Sequence, residues 1–324
     1  MRRLTRSIAA AILALPLALA VAPPANAARA GDPVSMTSGF YVDPASTPGA
    51  WAAANPHDGR AAAITSSIAS VPMARWFGSW SGSIGPATGS YVGRADQQDK
   101  LPVLVAYNMY GRDACGGHSS GGAASPAEYA TWIGAFAGGV GHRPAVVILE
   151  PDSLGDYDCM SPDEIAERRG MLSNALTQFR NQAPNTWVYM DAGNPGWLDA
   201  ATVAERLHQA GLSGARGFSL NVSNYFTTGE NTAYAQRINQ VLSSRYGYTK
   251  PFVVDTSRNG NGSNGEWCNP AGRRLGTPTR LGGGAEMLLW IKTPGESDGD
   301  CGVGQGSRAG DFLPEVAYRM IYGY

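Results

Sequence analysis

Five aspartates stand at or just beyond the carboxyl ends of five apolar runs. Asp113 follows the apolar run Leu101–Tyr107 by a short loop, and Asp152 comes two residues after Ala145–Glu150. Asp191 directly ends Thr186–Met190, Asp255 directly ends Phe252–Val254, and Asp298 lies a few residues past Met287–Ile291. One aspartate after a strand is usually a turn cap or half of a salt bridge. Five after five strands point to a shared rim, where like charges push carboxyl pKa values apart and leave one group protonated beside an ionised one. Asp255 is the ambiguous member, because Arg258 three residues on makes a structural ion pair equally plausible.

Aromatic residues share these loops. Trp76 ends the run Ala74–Phe77 with Trp80 just beyond it, Trp197 follows Asp191, and Trp267 lies in a Gly/Asn-rich loop after Asp255. Indoles exposed near carboxylates suit the apolar faces of sugar rings. Trp132, Trp187 and Trp290 fall inside helix or strand patterns, where core packing is the default.

Other chemistries fit less well. His57, His118, His142 and His208 are scattered, with no spacing for a metal, and neither a metal nor another cofactor is expected. Gly117-His118-Ser119-Ser120-Gly121 matches G-x-S-x-G, but no apolar strand leads into it as a nucleophile elbow requires. Gly282-Gly283-Gly284 lacks the Lys and Ser/Thr of a phosphate-binding loop.

The positioning elements are legible. Seven apolar runs, the five above with Ala74–Phe77 and Gly217–Leu220, read as strands buried on both faces of a parallel sheet. Between them lie helices near Arg60–Ala69, Asp199–Ala210, Thr232–Tyr246 and Phe312–Ile321. Two more open with S-x-x-E capping boxes, Ser125–Glu128 and Ser161–Glu164, each with Pro first in the helix. Alternating β and α leave a β/α barrel or an open doubly wound sheet. No G-x-G-x-x-G follows the first strand, and a barrel gathers its chemistry at the carboxyl ends of the strands, as these aspartates are gathered.

The length allows one large domain or two small ones, and no composition break or linker divides the chain. The 324 residues are 43% hydrophobic and 16% charged, with 42 Gly, 21 Pro and a net charge of −1, which gives no basic face for nucleic acid. Arg2, Arg3 and Arg6, the apolar run Ile8–Ala22 and Ala25-Asn26-Ala27 read as a signal peptide over residues 1–27, with the catalytic domain at 28–324 in a secreted, extracellular protein. No later segment reads as a membrane span. In an oxidising compartment Cys115, Cys159, Cys268 and Cys301 suggest two disulfides, with three pairings open.

Several blocks together resemble glycoside hydrolase family 6, the inverting β-1,4-glucanases. They are Leu104–Asn108 through Arg112–Gly117, Val146–Gly155, Met190–Gly193, Asn221–Tyr225, Asp255–Gly262, Glu266–Pro270 and Trp290–Gly299, in family order. The resemblance implies a distorted, seven-stranded β/α barrel hydrolysing internal bonds of cellulose with inversion. Asp152 would be the general acid. Asp113 would raise the acid's pKa and help hold the distorted sugar, and Asp191 would support the acid's side of the site. Asp298 would be the base, directly or through a water chain. Tyr107 would crowd the sugar at the cleavage point. Trp76, Trp197 and Trp267 match sugar platforms, and Asn224, Lys292 and Glu296 match hydrogen-bonding positions. Asn194 stands where a sugar-contacting His is typical, and Ala114 separates Asp113 from Cys115 where the family usually reads Arg-Asp-Cys. The implied disulfides are Cys115–Cys159 and Cys268–Cys301.

Short intervals, seven residues from Asp152 to Cys159 and eleven from Trp290 to Cys301, leave little chain for a tunnel roof. An endo-acting monomer with an open cleft is therefore expected on its β-1,4-glucan substrate. The alternatives are a cellobiohydrolase, another β-glucan hydrolase of the family, or a sugar-binding protein without catalysis.

Overall fold

The computed structural model describes residues 31–116 and 121–324. The leader read at 1–27 and Gly117–Ser120 of the G-x-S-x-G match lie outside the described residues. The strands are β1 (Arg75–Phe77), β2 (Val103–Ala106), β3 (Ala145–Leu149), β4 (Thr186–Asp191), β5 (Gly217–Leu220), β6 (Phe252–Asp255), β7 (Arg280–Leu281) and β8 (Met287–Leu289). They form one sheet in the order β1-β2-β3-β4-β5-β6-β8-β7, parallel throughout except for β7, which pairs antiparallel with β8. All seven expected strands are present. The eighth, β7, is two exposed residues long and carries no apolar signal to read. The sheet curls until the residues leading into β1 meet those leaving β8: Met73 pairs with Trp290, whose carbonyl accepts the Ala74 N–H at 2.8 Å. The result is a distorted barrel.

The continuous apolar runs have the expected cause. In β2, Val103 and Val105 face the barrel interior with Val146, Ile148, Tyr189, Val253, Met287 and Leu289. Leu104 and Ala106 face outward, with Val147, Leu149, Met190 and Phe218, and are covered by helices. Both faces are dry, so strict alternation with polar residues is absent. Trp290 is 1% exposed and packs with Ile64, Ile68, Met73 and Ala317 over the seam.

The helices are α1 (Thr47–Ala54), α2 (Ala61–Ile64, running on as a π-turn over Thr65–Ala69), α3 (Ile84–Asp96), α4 (Pro126–Val140), α5 (Pro162–Gln182), α6 (Ala200–Gln209), α7 (Thr228–Tyr246) and α8 (Pro314–Tyr322). The Ser125 side chain accepts the Glu128 N–H at the start of α4, and Ser161 and Glu164 form a full capping box on α5. α7 starts four residues before the sequence reading, on the box Thr227–Glu230. α3 has no counterpart in that reading because Gly85, Gly89 and Gly93 disguise it. They serve packing: a Cβ on Gly85 or Gly89 would press 3.3 Å from a carbonyl of α4.

Candidate active site

The carboxyl ends of the strands carry an unusual backbone. Asp113, Glu150, Asp152, Asn221 and Ser223 all have positive φ, between 47° and 69°. Left-handed non-glycine residues are uncommon and persist where surrounding structure fixes them. At Asp152 and Ser223 that structure is a buried carboxylate, Asp191 and Asp255 respectively, accepting the residue's own N–H.

Asp191, at the end of β4, is 2% exposed. Its Oδ2 accepts the N–H of Asp152 at 3.0 Å and of Gly193 at 3.1 Å, and its Oδ1 accepts the Ser219 hydroxyl at 3.2 Å. Burial raises its carboxyl to about 6, against the pull of these donors. Asp191 thus holds the backbone of Asp152 in its left-handed turn. The Asp152 carboxyl is lifted well above the ordinary range, first by burial and then by the negative charges of Asp191, Asp156 and Asp113, with Arg112 opposing. A carboxyl whose pKa is raised favours its protonated form, the form that can donate a proton.

The loop bearing Asp113 is fastened to the segment after β3 by three charged side chains that sequence reasoning passed over. Glu150 is fully buried, and its carboxylate accepts the N–H of Asn108 at 3.0 Å and of Met109 at 2.9 Å. Burial pushes Glu150 up to about 7. Arg168 of α5, 1% exposed, bonds the carbonyls of Ser153 and Gly111. Asp156 accepts the Ala114 N–H at 3.0 Å, and the Cys115–Cys159 disulfide closes the same pair of loops. Ala114, which departs from the family pattern, is thereby an anchored position. A signal for Arg168 was present: it lies at helical spacing in the buried stripe Met171, Leu172, Ala175, Leu176 and Phe179.

Asp298 is engaged on every side. Arg258 Nη1 donates to its two oxygens at 3.1 and 2.9 Å, Tyr225 Oη donates at 3.1 Å, and the Asn269 N–H donates at 3.2 Å. The Lys292 ammonium lies 3.5 Å away. Burial favours protonation of Asp298, but the Arg258 and Lys292 charges outweigh it and hold the carboxyl below its usual range. The Arg258 pair anticipated with Asp255 is made with Asp298 instead. Asp255, 1% exposed, accepts the N–H groups of Ser257, Ile291, Ser223 and Lys292 between 3.0 and 3.2 Å. It ties the loops after β5, β6 and β8 together. The Cys268–Cys301 disulfide links the segments beside Asn269 and Asp298.

The aromatic residues divide by exposure. Tyr107, 9% exposed, meets Trp76 edge-on at 5.2 Å and carries the Arg112 guanidinium 4.2 Å over its ring. Trp76 is half-buried, with its Nε1 donating to the Ile291 carbonyl. Trp197 and Trp267 remain open, 41% and 43% exposed. The Trp197 ring lies against Gly155 and Gly193, the glycines that follow Asp152 and Asp191, and no Cβ fits at Gly155. Asn194 is buried, its Oδ1 accepting the Gly196 N–H at 3.0 Å, so this side chain closes the turn before Trp197. Asn224 is partly exposed at the turn after β5. Glu296 accepts the Thr47 hydroxyl at 2.7 Å, and Lys292 also reaches the Ser297 carbonyl at 3.3 Å.

Comparison with known proteins points the same way. The model of the family "Glycosyl hydrolases family 6" matches residues 36–321. Endoglucanase 1 of Streptomyces halstedii is 74% identical over the whole of both chains. Endoglucanase A of Cellulomonas fimi is 46% identical over 88% of this chain and 61% of its own length. The structure of the endoglucanase Cel6 from Mycobacterium tuberculosis, in complex with a methyl-cellobiosyl-thio-cellobioside, superposes with a TM-score of 0.81 at 39% identity. That superposition covers 90% of this chain and 99% of the other.

Proposed function

The chain belongs to family 6 of the glycosyl hydrolases, and from that premise we infer that it is an endoglucanase hydrolysing internal β-1,4-glucosidic bonds of cellulose with inversion. Inversion needs one carboxyl to protonate the leaving oxygen and an ionised one to activate water on the opposite face. Family membership carries the substrate and the inverting outcome, and the opposite directions of Asp152 and Asp298, one carboxyl driven above its ordinary range and the other held below it, support the acid–base division.

In this reading Asp152 donates the proton. Asp191 fixes its backbone, and Asp113 adds negative charge that keeps Asp152 protonated while helping hold a distorted sugar against Tyr107. Asp298 is the ionised partner. Its oxygens already accept from Arg258, Tyr225 and Asn269, which favours a water chain over direct abstraction. Trp76, Trp197 and Trp267 stack on glucosyl units, and Asn224, Lys292 and Glu296 bond their hydroxyls. The substrate is a β-1,4-glucan chain, handled by a monomer.

Residues 1–27 serve as an export leader, and residues 28–324 are the catalytic domain. Two disulfides suit an oxidising, extracellular destination. No helix among the described residues is long and apolar enough to cross a membrane.

The test is twofold. Proton NMR of early hydrolysis should find the α-anomer at new reducing ends, and carboxymethylcellulose viscosity should fall steeply before many reducing ends appear. A β-anomer first product would overturn inversion. A slow viscosity loss with cellobiose as nearly the sole early product would overturn the endo mode.

A further inference from the structure

Trp80 is the most exposed tryptophan named at the rim, 59% open, and the roles above leave it unused. It lies in the 3₁₀ turn Ser79–Ser81, directly after the carboxyl end of β1. That turn is fixed: the Gly78 N–H donates to Ser81 Oγ at 3.1 Å, and the Ser81 N–H to the Gly78 carbonyl at 3.0 Å. The indole is laid against Gly78, where a Cβ would overlap both the ring and the Tyr107 carbonyl. Trp197 is built the same way on Gly155, one glycine cleared beneath an open ring.

Trp80 is also continuous with the reacting centre. Trp76 meets Tyr107 at 5.2 Å, Arg112 stacks on Tyr107 at 4.2 Å and donates to its carbonyl at 2.8 Å, and the same guanidinium lies 6.0 Å from the Trp80 ring. Arg112 bears electrostatically on Asp152. A fixed, open π surface at the end of this strip is suited to the CH face of a pyranose. A ring held in place loses little freedom when a sugar settles on it.

We propose that Trp80 is an outer glucosyl-binding subsite that lengthens the cleft beyond Trp76 and makes the enzyme favour long β-1,4-glucan chains over short oligosaccharides. The inference rests on the endoglucanase reading above.

The experiment compares wild type, Trp80→Ala and Trp80→Phe on cello-oligosaccharides of increasing length and on soluble cellulose. The Ala variant should raise KM on the polymer by about three- to tenfold, the scale of one aromatic stacking contact. Its penalty should grow with chain length, and Phe should restore most of the loss. An unchanged KM on the polymer, or an equal loss at every chain length, would overturn the subsite. A wild type that cleaves long chains while the Ala variant matches it removes this inference alone. A wild type inert on every β-1,4-glucan removes the functional reading and the subsite with it.

Discussion

Arg258 and Asp298 form a buried ion pair at the rim of the barrel, Nη1 to Oδ1 at 3.1 Å and to Oδ2 at 2.9 Å, with side chains 1% and 6% exposed. Removing one partner of such a pair strands the other charge and typically costs about 3–5 kcal/mol. The Asp298 carboxyl, held below its unfolded value, contributes stability above that value, and the contribution is lost as pH falls through the folded pKa.

Arg258→Met should therefore lower the melting temperature at neutral pH and move the acid limb of the kcat/KM profile upward, because burial then acts on Asp298 with less opposition. Arg258→Lys should fall between the two, keeping the charge but not the paired geometry. An acid limb that stays in place in a folded Arg258 variant would separate Asp298 from the ionised role.

Asp152→Ala should nearly abolish hydrolysis of unactivated glucan, by about 10²–10⁴-fold for a lost proton donor. Substrates with good leaving groups, which need little protonation, should lose much less. Equal losses on both substrate types, measured as kcat, would count against the acid role.

Glu150 gives a stability signature of opposite sign. Its folded pKa is raised from 4.5 to about 7, so native protein binds the extra proton between those values, and stability falls as pH rises through that window. Glu150→Gln keeps an oxygen for the Asn108 and Met109 N–H groups and removes the buried charge. The variant should gain stability over wild type at pH 8, by an amount on the order of 3 kcal/mol, and the gain should disappear near pH 4. Thermal unfolding at the two pH values decides it; a variant equally stabilised at both would show that charge is not the cause.

Peptide mapping of unreduced protein should recover Cys115–Cys159 and Cys268–Cys301, with no Cys115–Cys268 peptide. Replacing Cys115 and Cys159 with Ser releases a 44-residue separation and should cost about 2–4 kcal/mol. Activity should fall more than that loss explains, because the bridge also fastens the Asp113 loop; activity unchanged well below the melting temperature would show that Glu150, Arg168 and Asp156 suffice.

Much of this protein was determined by its sequence. Seven strands are legible because a parallel sheet covered on both faces demands unbroken apolar runs, and Ala145–Leu149 or Gly217–Leu220 can be little else. Aspartates at the ends of those runs must share the rim, since the barrel puts every carboxyl end on one face. Helix starts such as Ser161–Glu164 are written in adjacent residues. What the tertiary structure decided is the division of labour among like residues. Asp191 and Asp255 look in sequence like Asp152, yet their oxygens are taken up by backbone N–H groups from neighbouring loops, an assignment no local pattern encodes. Arg258 stands three residues from Asp255 but reaches Asp298 across 40, because side-chain pairing follows distance in space. Trp290 and Trp80 are the same residue type near strand ends; one is sealed by the seam where the sheet meets itself and the other lies open on Gly78. Burial and partner are properties of the closed barrel, and they push the Asp152 carboxyl up, hold Asp298 down and tie Asp191 and Asp255 to backbone N–H groups.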